Sequence, residues 1–189
     1  MRIDHAAKSA GVAISYELMV MPPVYAALGW KVNPFVDYPY KLDYVWCDVA
    51  RTAEHRDVAF QKPKSFPQDP FPATLVALVG FEDGWGWEYC RHFYAANFHE
   101  GRDPAAEATL VSILSRMNLD AEYVIAKSQS DEIRQLLDGQ TLRALERGVF
   151  GAPFFIVNDE RFWGDDRMEL AMEWAQRVEG NQSRQNECN

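Results

Sequence analysis

No Cys-x-x-Cys occurs anywhere in the chain, and its three cysteines, Cys47, Cys90 and Cys188, lie far apart. Without a vicinal pair there is no dithiol to cycle, which excludes a dithiol oxidoreductase. An odd number of scattered thiols also suits a reducing cytoplasm better than a disulfide framework. Basic residues are scarce: 19 Lys and Arg stand against 28 Asp and Glu, a formal charge of -9. With no basic stripe to displace counterions, neither nucleic acid nor an anionic membrane surface is an expected partner. No apolar run approaches the length of a bilayer span. The opening "MRIDHAAKSAGVAIS" has one early cation and no apolar core of the kind a secretory signal needs. There is no internal repeat and no low-complexity tract.

What is present is a large apolar and aromatic content. Of the 189 residues, 48% are hydrophobic and 13% aromatic, enough for a sizeable core. Residues Ile3 to Ala10 read as the end of a helix closed by Gly11 as C-cap. "VAISYELMV" (Val12 to Val20), rich in β-branched residues and bounded by Gly11 and Pro22, reads as a buried strand. Leu42, Val45, Val49 and Ala53 recur at helical spacing between Lys41 and His55. After the proline-rich connector "QKPKSFPQDPFP", helices are expected over Ala73–Phe81, Trp85–Phe98, Pro104–Met117, Ala121–Ser128 and Asp131–Arg147. Asp103 is placed as N-cap of the third of these, with Pro104 in its first turn. A strand follows from Pro153, then a turn at "NDE", a short strand ending in "RFWG", and an amphipathic helix carrying Met168, Leu170, Met172 and Val178. The last ten residues are polar and read as a frayed tail.

This order predicts an α/β core interrupted by a helical block, because strands near both chain ends must pair to hide their edges. Residues 1–39 and 129–180 are assigned to the core, 40–128 to the helical insertion and 181–189 to a disordered tail.

Two features carry chemistry. Proline cannot donate to a ladder, so Pro153 belongs at a strand's first residue or edge. A trans bond there is the ordinary case; a cis Ala152–Pro153 bond would turn the Ala152 N–H and C=O outward, where an extended peptide could pair with them. Downstream, Asp165 and Asp166 precede a helix, where acids complement the dipole and Asp165 serves equally as an N-cap. Beside Gly164, two acids could instead meet a ligand's ammonium group.

Together, "GVFGAPFF" and "FWGDDRMEL" resemble the C-terminal signature of the 2-hydroxychromene-2-carboxylate isomerases and the related kappa-class glutathione transferases. The "KLDYVWCDVAR" helix and the helical middle are similar too, so the resemblance spans nearly the whole chain. It implies a thioredoxin-like α/β fold with a helical insertion, as in DsbA-type proteins, and glutathione as cofactor. In that family the proline is cis, the residue before it pairs with the cysteinyl main chain of glutathione, and the Gly-x-Asp loop holds the γ-glutamyl end. Those roles fall on Ala152, Pro153, Trp163, Gly164, Asp165 and Asp166.

The implied reaction is reversible conjugate addition of a glutathione thiolate to a benzylidenepyruvate-type alkene, in aromatic catabolism in the cytoplasm. The implied partner is a small aromatic substrate, with a homodimer left open. On the substrate side the candidates are Tyr25, Asn33 and Phe66, of which the two aromatics read equally well as core residues. The family's first strand and its Ser-Pro-aromatic turn have no counterpart ahead of Gly11. The chain as given is therefore expected to begin inside the fold, N-terminally truncated, with the family serine preceding Met1 and no catalytic residue named here. A kappa-type glutathione transferase and a truncated, non-catalytic thioredoxin-like protein remain the alternatives.

Other clusters are weaker. His92 and His99 stand two helical turns, about 10.5 Å, apart, and Cys90-x-His92 lacks a four-ligand pattern, so no metal is expected. The aromatic run "WGWEYCRHFY" reads as helix packing, and Cys47 as a small buried hydrophobe.

Overall fold

The computed structural model describes residues 2–30 and 34–187. The chain folds as two compact units, Met1–Glu17 with Leu145–Asn189, and Leu18–Ala144.

The first unit is built on a helix pair. Helix α1 (Arg2–Ala10) packs on the C-terminal helix α10 (Met168–Glu187), with Ala7, Met168 and Met172 buried and Ile3, Ala6, Ala10, Val12, Ile14 and Phe155 packed around them. Gly11 ends α1 at φ 68, and the Val12 N–H returns to the Ala7 carbonyl at 3.0 Å while the Gly11 N–H reaches the Lys8 carbonyl at 3.3 Å. This pair of bonds is the Schellman closure expected for a C-terminal glycine. The Gln176 side chain donates to the Ala10 carbonyl at 2.8 Å, satisfying another orphan acceptor of the same helix end. On α10 the inward face is Met168, Ala171, Met172 and Ala175, at i, i+3, i+4 and i+7, whereas Leu170, expected on that face, is 44% exposed.

Strands β1 (Phe154–Val157) and β2 (Glu160–Trp163) form an antiparallel hairpin in register Phe154↔Trp163 to Val157↔Glu160. Its two-residue turn takes Asn158 to φ 54, a left-handed conformation that Asn tolerates better than most residues. Every residue of β1 is only half-buried.

The second unit is helical: α2 (Met21–Ala27), α3 (Pro34–Asp37), α4 (Pro39–His55), α5 (Phe71–Asp83), α6 (Gly86–Phe98), α7 (Glu107–Arg116), α8 (Ala121–Ser128) and α9 (Asp131–Glu146). Helix α5 buries seven residues, from Ala73 to Gly80 on all its faces, as a helix apolar all round must. Tyr89 and Phe93 of α6, Leu110, Ile113 and Leu114 of α7, Val124 of α8, and Ile133 and Leu137 of α9 close around it. Because α9 contributes to this cluster along with Leu18 and Val20, α2, α3 and most of α9 group with the helical unit, whereas the division expected from sequence puts them in the core.

Several sequence expectations need correction. Val12–Val20 is neither helix nor strand, with Val12, Ile14, Tyr16 and Leu18 half-buried in alternation, and it joins no ladder among the described residues. Its Leu18 N–H is taken by the Gln140 side chain at 2.8 Å and its Val20 N–H by Thr141 at 3.3 Å. Side chains of α9 thus satisfy donors that a neighbouring strand would otherwise take. Helix α7 starts three residues later than expected. Asp103 Oδ1 accepts from the Ala105 N–H at 2.9 Å, closing an Asx turn, and Ala106 is extended at ψ 122. The tail expected from 181 is instead a continuation of α10 to Glu187. Cys47 is exposed, because α4 buries none of its residues and the thiol stands on its outer side. Among the described residues no helix is long and apolar enough to cross a membrane.

Candidate functional site

Pro153 stands one residue ahead of the ladder, where its missing N–H leaves no gap in the pairing. The Ala152–Pro153 peptide is cis. The Pro153 carbonyl accepts from the Gly164 N–H at 3.0 Å, which extends the hairpin by one bond beyond Phe154 and Trp163. Gly164 adopts φ 107, ψ 151, a region open essentially to glycine. A Cβ at Gly164 would lie 2.5 Å from Asp166 Oδ1, and one at Gly151 would lie 2.6 Å from the Trp163 indole nitrogen. Both glycines therefore let a neighbouring side chain, Asp166 or Trp163, lie against bare backbone. Phe150 braces the indole edge-on, its centroid 5.1 Å from Trp163 and 5.3 Å from Phe154.

Ala152, Pro153, Trp163, Gly164, Asp165 and Asp166 are thus gathered at one end of the hairpin. All but half-buried Gly164 are exposed. The Ala152 main chain makes no hydrogen bond among the described residues.

The two acids differ. Asp165 accepts from Arg2 at 2.7 Å through Oδ1 and at 3.0 Å through its backbone carbonyl, and Arg2 also pairs with Glu169. Burial opposes the Arg2 charge, but the hydrogen bonds to Asp165 and Glu169 outweigh it and raise its pKa. Asp165 therefore ties α1 to the start of α10. Among the described residues Asp166 pairs only with its neighbour Arg167, at 2.8 Å, and its side chain is 72% exposed. Gly164 occupies the N-cap position of the 3-10 turn Asp165–Arg167 and no side chain caps it, so Asp165 as N-cap is not what the chain adopts. Arg167, the cation beside the available acid, is a candidate that the sequence alone does not single out, although it stands in the same "GDDR" run.

The substrate-side candidates lie in the helical unit. Tyr25 on α2 faces Trp30 with centroids 5.6 Å apart, and burial raises its hydroxyl pKa. Phe66, 38% exposed, meets Trp46 edge-on at 5.4 Å, and the Lys62 ammonium lies 5.8 Å from that indole. Tyr25 and Phe66 thus each meet a tryptophan, Trp30 and Trp46, and Asn33 lies outside the described residues. The aromatic run of α6 packs as expected: Trp85, Tyr89 and Phe93, spaced four apart, have successive centroids 6.1 Å apart. Burial pushes the Cys90 thiol up to about 11. Ser9 and Ser15, the hydroxyls nearest the start, are exposed. Among the described residues no group of three His, Cys, Asp or Glu could hold a metal ion.

A proline-headed hairpin packed with the terminal helices, and a helical unit inserted between the two ends of the chain, define a thioredoxin-like protein of the DsbA type. The profile of the DSBA-like thioredoxin domain matches residues 1–173, and the chain belongs to that family. Similar curated proteins are named 2-hydroxychromene-2-carboxylate isomerase. That of Pseudomonas sp. (strain C18) is 27% identical over 168 residues, 88% of this chain and 78% of the relative. That of Sphingobium xenophagum is 28% identical over 179 residues, 90% of this chain and 86% of the relative. The solved structure of a 2-hydroxychromene-2-carboxylate isomerase superposes with a TM-score of 0.81 over 98% of this chain and 88% of that one. At 24% identity it speaks for the α/β thioredoxin-like fold.

Proposed function

We propose that the chain is an isomerase of the 2-hydroxychromene-2-carboxylate type that uses glutathione. The observation that carries this reading is the hairpin end, where an exposed Ala152 main chain outside the ladder, an exposed indole and a solvent-facing Asp166 stand side by side. Relatives bearing the isomerase name align over nearly nine-tenths of the chain or more.

The residues present fit a γ-glutamyl tripeptide. Ala152 lies outside the ladder with its N–H and C=O available, so it can pair with an extended main chain as an added strand does. Asp166 offers a carboxylate to the glutamyl ammonium, and Arg167 a guanidinium to the glutamyl carboxylate, both charge-assisted. Trp163, held by Phe150 against Gly151, provides a flat apolar wall. Asp165 serves from behind, since its pairing with Arg2 fixes the turn that presents Asp166. When bound, glutathione would supply the thiolate whose reversible addition removes the double-bond character of a conjugated alkene. Tyr25 and Phe66 are the substrate-side residues of this reading. The cytoplasm, where thiols are kept reduced, is its compartment.

The test is spectrophotometric conversion of 2-hydroxychromene-2-carboxylate by the purified chain, with and without reduced glutathione. Turnover that depends on glutathione supports the reading, and equal rates in its absence sink the glutathione part. No turnover in either condition removes the isomerase reading for this chain.

A further inference from the structure

A cavity of about 220 Å³ opens in the helical unit, lined by residues of α5, α7 and α8, the first turn of α9 and adjoining loops. None of the residues assigned to glutathione or substrate lines it. It is smaller than the roughly 300–1,000 Å³ of sites for drug-sized ligands. Its apolar wall comes from buried Leu75 and Leu110 with half-buried Phe71 and Ile125.

Two opposite charges line the same space, Glu107 from α7 and Arg134 from α9. Arg134 Nε donates to the Gln129 carbonyl at 3.4 Å, and the guanidinium carbon lies 5.8 Å from the Phe71 ring centroid. These contacts hold the guanidinium and leave its terminal nitrogens without a partner among the described residues. A cation in the first turn of a helix also stands against the helix dipole, so its position is not explained by the stability of α9. The Glu107 carboxylate likewise has no ion-pair partner among the described residues, and it does not pair with Arg134.

We propose that this cavity binds a small zwitterion with an apolar body, of the class of an apolar α-amino acid. Its carboxylate would take the planar fork of Arg134, which matches two carboxylate oxygens. The ammonium would face Glu107, and the hydrocarbon would lie against Leu75, Leu110 and Ile125. A purely anionic ligand would meet the Glu107 carboxylate and a purely cationic one the Arg134 guanidinium, so a ligand carrying both signs suits the lining best.

The probe is phenylalanine, titrated calorimetrically into the full chain beside 3-phenylpropanoate, which lacks the ammonium, and phenethylamine, which lacks the carboxylate. Phenylalanine is expected to bind at least about tenfold more tightly than either, the scale of one lost charge-assisted bond. Arg134→Gln and Glu107→Gln, both at exposed positions, should each weaken it by a similar factor, with amide shifts in the bound protein confined to the neighbourhood of Leu75, Leu110 and Ile125. Absence of phenylalanine binding, equal binding of either analogue, or full affinity in both variants would overturn the assignment.

Discussion

Asp165 and Asp166 are adjacent acids of one chemistry, yet their surroundings give them different work. Asp165 is spent on Arg2, and Asp166 faces solvent beside Arg167. Asp166→Asn should therefore weaken glutathione binding roughly tenfold or more while leaving the melting temperature within about a degree. Asp165→Asn should lower the melting temperature, and should weaken glutathione binding less than Asp166→Asn does, through the turn that its pairing with Arg2 holds. An ion pair at a half-exposed site is worth at most about 1 kcal/mol, which in a protein of this size shifts melting by about 2–4 °C. Calorimetry and thermal unfolding on both variants check this, and matching losses from both would show the acids acting as one unit. The cysteines divide in the same way. Burial pushes Cys90 up to about 11, whereas Cys47 is exposed. Because the folded value is raised, the neutral thiol contributes stability fully below about pH 8.5, the ordinary thiol pKa, and that contribution is lost as pH rises toward the folded value. At pH 8, iodoacetamide followed by peptide mass mapping should find Cys47 alkylated and Cys90 protected until the chain unfolds.

Among the elements, α9 shows how one helix serves two tasks. Its apolar face closes the helical core through Ile133 and Leu137, and its polar residues Gln140 and Thr141 hold the preceding segment at Leu18 and Val20. Leu137 is fully buried and Leu142, on the other side, is 57% exposed. Truncating a buried leucine to alanine costs about 2–5 kcal/mol, so Leu137→Ala should lower the melting temperature by roughly 5–20 °C. Leu142→Ala should change it by little, within about 0.5 kcal/mol. Thermal unfolding followed by circular dichroism distinguishes them, and equal shifts would mean that α9 does not pack on α5 as described.

For the whole molecule the sharpest expectation is linkage. A ligand that binds only the folded chain stabilises it, by about 2.7 kcal/mol at a hundred times its dissociation constant. Reduced glutathione at that excess should raise the melting temperature by about 5–10 °C, and Asp166→Asn should require proportionately more of it. S-methylglutathione, which keeps the peptide and loses the thiol, should give the same shift, because the residues proposed for the site would hold the backbone and the γ-glutamyl end. No shift with either compound would remove the hairpin as the binding site.

The sequence alone determined what local rules govern. Gly11 as a helix stop, Pro153 at the head of a strand, the span of α8 and the four-residue spacing of rings on α6 all follow from backbone dihedrals and side-chain periodicity. The motif pair around Pro153 and Gly164 likewise placed the family. Only the tertiary structure decided which acid is held by a distant cation, because that depends on Arg2, more than a hundred and sixty residues away in sequence. It also decided that Val12–Val20 joins no ladder among the described residues, since a strand exists only through its partner, and a single segment's composition does not contain one. Cys47, read from the sequence as a small buried hydrophobe, faces solvent for a related reason: composition says what a residue could bury, while burial depends on what packs against it.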